Sequence, residues 1–281
     1  MRTEVLLIDC HTHAFADKIA EKAVIQLIEY YQIPTRFGGS LRDLLTVAVD
    51  AKLNALIMLV AATKPEQVKP ANDWVLSLKK MAVRELETKY GLSHLPQMIH
   101  FGTYHPDDPD WLAEIQRLRQ ARIKGIKIHP EFQSIDLADP WLNDFWAEIE
   151  SDFIVMIHVG DPVHSESNHS TPRKVAAILN NFPKLRVIAA HMGGYLFWDE
   201  AYELLAGRDL YLDTSSTLPY IDPEMLRKLF TKHGTEKILF GSDYPLRSPA
   251  QDFEVLDRMD WLTGADKERV FGRNCAELLG L

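Results

Sequence analysis

The chain has 281 residues, 46% of them hydrophobic and 25% charged, a balance that supports a sizeable packed core and excludes a disordered or fibrous protein. Its formal net charge of -9 argues against nucleic acid or an anionic membrane surface as partner, because both repel an acidic protein. Two cysteines, Cys10 and Cys275, are too few for a disulfide framework, and no run approaches the roughly 18 apolar residues of a membrane span.

Taken in chain order, short apolar runs fall at 5–8, 55–60, 98–101, 123–128, 153–157, 186–190, 210–212 and 238–240. Their near-continuous apolar character suits parallel strands covered on both faces. Segments of helical period separate them. Leu112, Ile115 and Leu118 make one stripe after Pro109. Thr171-Pro172 opens a second helix, with Val175, Ile178, Leu179 and Phe182 in step and Pro183 closing it. Asp222-Pro223 opens a third, and Gly234 ends it. No repeat or Gly/Ser linker marks a boundary, so residues 1–281 are expected to form a single (β/α)8 TIM barrel. A doubly wound open sheet is the alternative, but no G-x-G-x-x-G follows the first run.

In such barrels the chemistry sits at the C-terminal ends of the strands. The runs end in polar residues: Asp9, His11 and His13; Lys127 and His129; His158; His191; Asp243. Residues two apart on a strand face one side, so His11 and His13 are expected to point to the barrel axis, with Cys10 and Thr12 outward. Two imidazoles on one face suit a divalent cation, and a carboxylate completes an open site. The competing reading is that they cap the barrel with hydrogen bonds alone. Gly193 and Gly194 are expected to let backbone approach a ligand. The segment 160–170 is long for a βα loop and forms a candidate rim, with His164, Glu166 and His169 as candidate substrate contacts. Tyr195, Phe197 and Trp198 are candidate pocket walls, and His100 and His105 lie near strand three without a fixed direction. Cys10 reads as a small buried side chain, not a nucleophile.

H-x-H at His11 and His13, His158 after the fifth run, H-M-G-G from His191 and G-S-D-Y-P around Asp243 resemble the amidohydrolase superfamily, specifically its "amidohydrolase 2" group of metal-dependent hydrolases. The resemblance extends over nearly the whole chain, including 63–68 and 125–130. It implies His11, His13 and His158 as metal ligands, Asp243 as ligand or proton acceptor, and His191 as acid/base or substrate holder. One divalent ion is implied, Zn2+ by ligand type, with Mn2+ the other candidate. In binuclear relatives a strand-four lysine is carboxylated. Lys127 in that role would add a second ion held by His158 and His191, with His129 beside it. Otherwise Lys127 is an unmodified cation paired with Asp9, Glu131 or a substrate carboxylate.

The activity expected is hydrolysis of an amide, lactone or ester-like bond in a small polar molecule by metal-activated water. A metal-dependent decarboxylase or hydratase is the first rival and a non-enzymatic metal-binding protein the second. The partner is then a small-molecule substrate, with neither nucleic acid nor membrane, and a homo-oligomer is left open. The opening Met-Arg-Thr-Glu leads into its apolar run without a signal-peptide pattern, so a cytoplasmic protein is expected.

Overall fold

The computed structural model describes residues 5–162 and 168–281. Eight strands, β1 (Ile8–His13), β2 (Ala55–Leu59), β3 (Gln97–Thr103), β4 (Gly125–Ile128), β5 (Ile154–Ile157), β6 (Arg186–Ala189), β7 (Tyr211–Asp213) and β8 (Ile238–Leu239), pair in sequence order. Every pairing is parallel. The ring closes where β1 meets the segment after β8. Cys10 N–H donates to the Phe240 carbonyl (2.9 Å), His13 N–H to that of Tyr244 (2.8 Å) and Asp243 N–H to that of His11 (2.8 Å). This is the expected (β/α)8 TIM barrel. No helix of the described residues is long and apolar enough to cross a membrane.

Alternation along the strands sorts the apolar residues into two cores. Leu56, Met58, Ile126, Ile128, Val155, Ile157 and Val187 pack outward against helix residues such as Leu44, Leu45, Val75, Ile115 and Val175. Ile57, Ile99, Phe101, Met156, Ile188 and Leu239 fill the interior, joined by Cys275 and Leu279 from the C-terminal helix. Cys10 belongs to that interior cluster, not to the outward face expected of it. The reason is a slip in the β1–β2 register between Asp9 and Thr12, which breaks the two-residue alternation and lets Cys10 and His11 both turn inward. Burial pushes the Cys10 thiol well above its ordinary pKa, so it is an inert packing group.

The helix ends follow the sequence. Asp222 accepts from Glu224 N–H and Met225 N–H (2.9 and 3.0 Å) to start Pro223–His233. Thr171 caps Pro172–Asn181 by accepting from Lys174 N–H. In Trp111–Gln120 the stripe is narrower than expected, with Ile115 and Leu118 buried while Leu112 faces solvent. One helix with little sequence punctuation, Asp17–Tyr31, follows β1 and buries only Ala20 and Val24. Its C-terminal residue reaches the site described next.

Candidate active site

The strand-end residues converge on one polar layer above the interior core. His11 Nε2 lies 3.2 Å from His13 Nε2. Asp243 Oδ1 is 3.5 Å from the first and 3.7 Å from the second. Donor atoms sharing a small cation at bonds of ~2.0–2.2 Å lie about 3–3.6 Å apart, so this trio has the spacing of ligands around a single ion. His11 Nδ1 is 2.9 Å from Asp213 Oδ2. A carboxylate only accepts, so Nδ1 carries the proton and the Nε2 lone pair faces His13 and Asp243. A second grouping, His11, His191 and Asp213, also brings three donors together. There the Asp213 oxygens are already taken: Oδ1 accepts from His191 N–H and Ser215 N–H (both 3.0 Å) and from the Ser215 hydroxyl.

Asp243 sits in the left-handed region, at φ 69°, rare for a non-glycine residue. The Ser216 hydroxyl donates to its Oδ2 (2.6 Å), leaving Oδ1 toward the histidines. Burial, the largest effect, pushes the Asp243 carboxyl up to about 7 against the opposing pull of Ser216 and Lys127. Lys127 is wholly buried with Nζ 3.4 Å from His11 Nε2, and burial lowers its ammonium to about 8 while Asp243 and Asp213 pull it back up. Desolvation holds the His11, His13, His129 and His158 imidazoles well below their ordinary pKa and brings His191 down to about 4. Neutral imidazoles, one carboxylate and no thiolate form a donor set that fits a divalent ion such as Zn2+ or Mn2+.

Beside the trio lies a second histidine group. His191 Nδ1 is 2.9 Å from the Ser215 carbonyl, and its Nε2 is 2.9 Å from His158 Nδ1. His158 stacks on His129, with ring centroids 3.8 Å apart. The Tyr31 hydroxyl lies 2.9 Å from His129 Nε2 and 3.5 Å from His158 Nε2. Over this floor opens a narrow slot, walled by Tyr31, Ile33, Tyr195 and Leu246 and floored by His158, His191, Ser216 and Asp243.

Residues 8–281 match the amidohydrolase family. The chain belongs to that family. The curated proteins give no match to this amidohydrolase. Solved structures do resemble it. An uncharacterized TIM-barrel protein from Bordetella bronchiseptica superposes with a TM-score of 0.76 at 15% identity, covering 98% of this chain and 99% of that one. A 5-carboxyvanillate decarboxylase from Sphingomonas paucimobilis gives 0.70 at 16% identity, covering 99% and 100%. A dihydroxybenzoic acid decarboxylase from Polaromonas, with bound manganese and the inhibitor 2-nitroresorcinol, gives 0.67 at 14% identity, covering 99% and 98%. At these identities the likeness shows the fold alone.

Of the residues expected at the site of this amidohydrolase, His11, His13, Asp243, His158, His191, Lys127, His129 and Tyr195 all reach the polar layer or the slot. His158 stands apart from the trio, against His191 and His129. Lys127 pairs with neither Asp9 nor Glu131. Asp9 accepts from His11 N–H and Ser242 N–H, and Glu131 from Ser170 N–H and hydroxyl. Trp198 is not a wall of the slot, because its Nε1–H donates to the His191 carbonyl (3.0 Å) from behind and so steadies that turn. His164 and Glu166 lie outside the described residues. His100 and His105 remain on and after β3, away from the slot lining. Gly193 and Gly194 face packed side chains, Leu212 and Pro172 among them, so they serve the tight turn and not ligand approach.

Asp213, Ser215, Ser216 and Tyr31 were missed from the sequence. Asp213 closes β7, and the strand-end rule applied to the seventh run points to it. Tyr31 has no such signal, because it arrives from a helix.

Gly160, just after β5, has φ 85°, and an added Cβ would lie 2.3 Å from the Tyr195 carbonyl oxygen. Gly160→Ala is therefore expected to cost about 3 kcal/mol of stability, from strained backbone and a backbone clash together. Urea unfolding measures this, and a loss under 1 kcal/mol would show that the loop shifts freely.

Proposed function

We propose that this amidohydrolase is a metal-dependent decarboxylase of a small planar carboxylic acid, aromatic or unsaturated. The carrying observation is the slot itself: aromatic and aliphatic walls (Tyr31, Tyr195, Ile33, Leu246) over a floor of ionisable groups. Such a lining suits a ligand with an anionic head and a flat apolar body. The polar amide or lactone first expected is matched less well by these walls, two of which are aliphatic. The aromatic-acid decarboxylases of the same fold support this reading.

His11 and His13, with Asp243 Oδ1 as the third donor, would hold one divalent ion, Zn2+ or Mn2+, and His158 is the fourth candidate. When bound, the ion supplies Lewis-acid polarisation of substrate oxygens. In the reaction, the bond from the carboxylate to its carbon breaks, the electron pair stays on that carbon, and the carbon takes up a proton while carbon dioxide leaves. Asp243 is the group placed to hand this proton over, because it lines the slot and its Oδ2, turned away from the ion, is bonded by the Ser216 hydroxyl. Lys127, buried beside His11, favours the anionic head of the substrate. Tyr31, Tyr195 and Leu246 keep water out.

The test is to incubate the Mn2+-loaded protein in D2O with hydroxybenzoic and unsaturated acids, alongside lactones and N-acyl compounds. Carbon dioxide release with one deuterium at the vacated carbon is expected. Turnover that places oxygen from labelled water in the product, without carbon dioxide, would instead establish the hydrolase reading.

A further inference from the structure

The hydrogen bonds around His158 have only one consistent direction. At one end the Ser215 carbonyl can only accept, so His191 Nδ1 carries a proton and, in the neutral ring, His191 Nε2 accepts. Its partner, His158 Nδ1 at 2.9 Å, is therefore the donor, and the His158 lone pair lies on Nε2. At the other end the Phe132 N–H can only donate, at 3.3 Å to His129 Nδ1, so His129 Nε2 carries the proton. His129 Nε2–H then donates to the Tyr31 oxygen at 2.9 Å, which frees the Tyr31 hydroxyl proton for His158 Nε2 at 3.5 Å. Two backbone groups thus set the tautomers of three histidines, and the one nitrogen of His158 able to bind a metal faces Tyr31.

We propose that Tyr31 is a positioning residue that holds His158 out of the metal site, so that an ion gains His158 as a ligand only when Tyr31 withdraws. This inference rests on the metal site proposed above, at His11, His13 and Asp243. The Tyr31–His158 contact, at 3.5 Å, is the longest link of the chain and so the weakest. Tyr31 also ends a 15-residue helix that buries only two residues, Ala20 and Val24, while its ring meets Tyr30, Phe132, His158 and Tyr195, so its withdrawal breaks these ring contacts together with the hydroxyl bond. Tyr30, its neighbour, ties the helix end to the rim by donating to Asp161 Oδ2 at 2.6 Å.

Two measurements test this. Nitrogen-15 NMR of the metal-free wild-type protein should show His158 protonated on Nδ1, with Nε2 as a hydrogen-bond acceptor. Protonation on Nε2 would overturn the proposal before any metal is added. Chelator competition with Mn2+ and Zn2+ then compares wild type with Tyr31→Phe, which removes only the hydroxyl. Affinity should tighten about threefold to tenfold, the worth of one neutral hydrogen bond, and electron spin-echo spectra of bound Mn2+ should gain one imidazole. Equal affinity and equal imidazole count in the two proteins would overturn the role of Tyr31 alone. No binding by either would overturn the metal site and this consequence with it.

Discussion

Asp243→Asn is expected to weaken Mn2+ and Zn2+ binding by about a hundredfold or more, roughly 3 kcal/mol. The substitution keeps the shape but removes the only charged donor of the trio, and the two imidazoles 3.2 Å apart cannot alone hold a dication tightly. The same residue sets a pH signature. Because its carboxyl titrates near 7 before metal arrives, binding below that pH must expel a proton. Affinity in the wild type should fall about tenfold per pH unit below 7 and change less steeply above it, where Lys127 beside His11 still titrates near 8. The asparagine variant should lose that slope between pH 7 and 6, since the imidazoles titrate lower still. Asp213→Asn, which leaves the three donor residues but no longer fixes the His11 proton on Nδ1, should cost about 10- to 100-fold. Isothermal titration in two buffers of different ionisation heat reads both affinity and proton release. An unchanged affinity in Asp243→Asn would remove this residue from the site.

The metal-free protein is expected to lose its stability steeply between pH 6.5 and about 4. Seven imidazoles of the described residues, His11, His13, His100, His129, His158, His191 and His233, have folded pKa values lowered chiefly by burial. The unfolded chain protonates them near 6.5 while the folded chain does not, so each contributes stability that is present above 6.5 and fades as the pH falls toward the folded value. Each costs on the order of 1 kcal/mol per pH unit in that window. Asp9 and Asp243, raised to about 7, oppose this, because the folded state holds their protons where the unfolded state does not. Asp252 and Glu131, also raised by burial, oppose it too. Seven groups outweigh four, and a total stability of roughly 5–15 kcal/mol is exhausted within about two pH units. Bound Mn2+ should move the transition to lower pH. Equilibrium urea unfolding at several pH values, with and without the ion, reads both effects. A flat profile from 7 to 5 would mean that these imidazoles are not held neutral.

The barrel was legible because its strands announce themselves as apolar runs and its chemistry clusters at their ends. His11, His13, His158, His191 and Asp243 were each found by that rule. What the sequence concealed follows from geometry that a two-residue period does not encode. The register slip between Asp9 and Thr12 turned Cys10 inward. The first strand ran on to His13 because its backbone pairs with β2 on one side and with 240–244 on the other, whatever the polarity of its side chains. Tyr31 was hidden because the helical period of its own segment says nothing of where its final residue lands, and that residue meets histidines 98 and 127 positions away. Lys127 was recognised as inward-facing, but its carboxylate partners, Asp243 and Asp213, come from β7 and the segment after β8 and not from its own neighbourhood.

Whether a single ion is held by His11, His13 and Asp243 is tested most directly by X-ray absorption on the Mn2+-loaded protein, with metal content per chain. The expected result is one equivalent, bound by nitrogen and oxygen at about 2.0–2.2 Å, with two imidazole ligands in the wild type and a third in Tyr31→Phe. Two equivalents with a metal–metal vector and a carboxylated Lys127, or an ion retained at full affinity in a His11→Ala, His13→Ala variant, would contradict it.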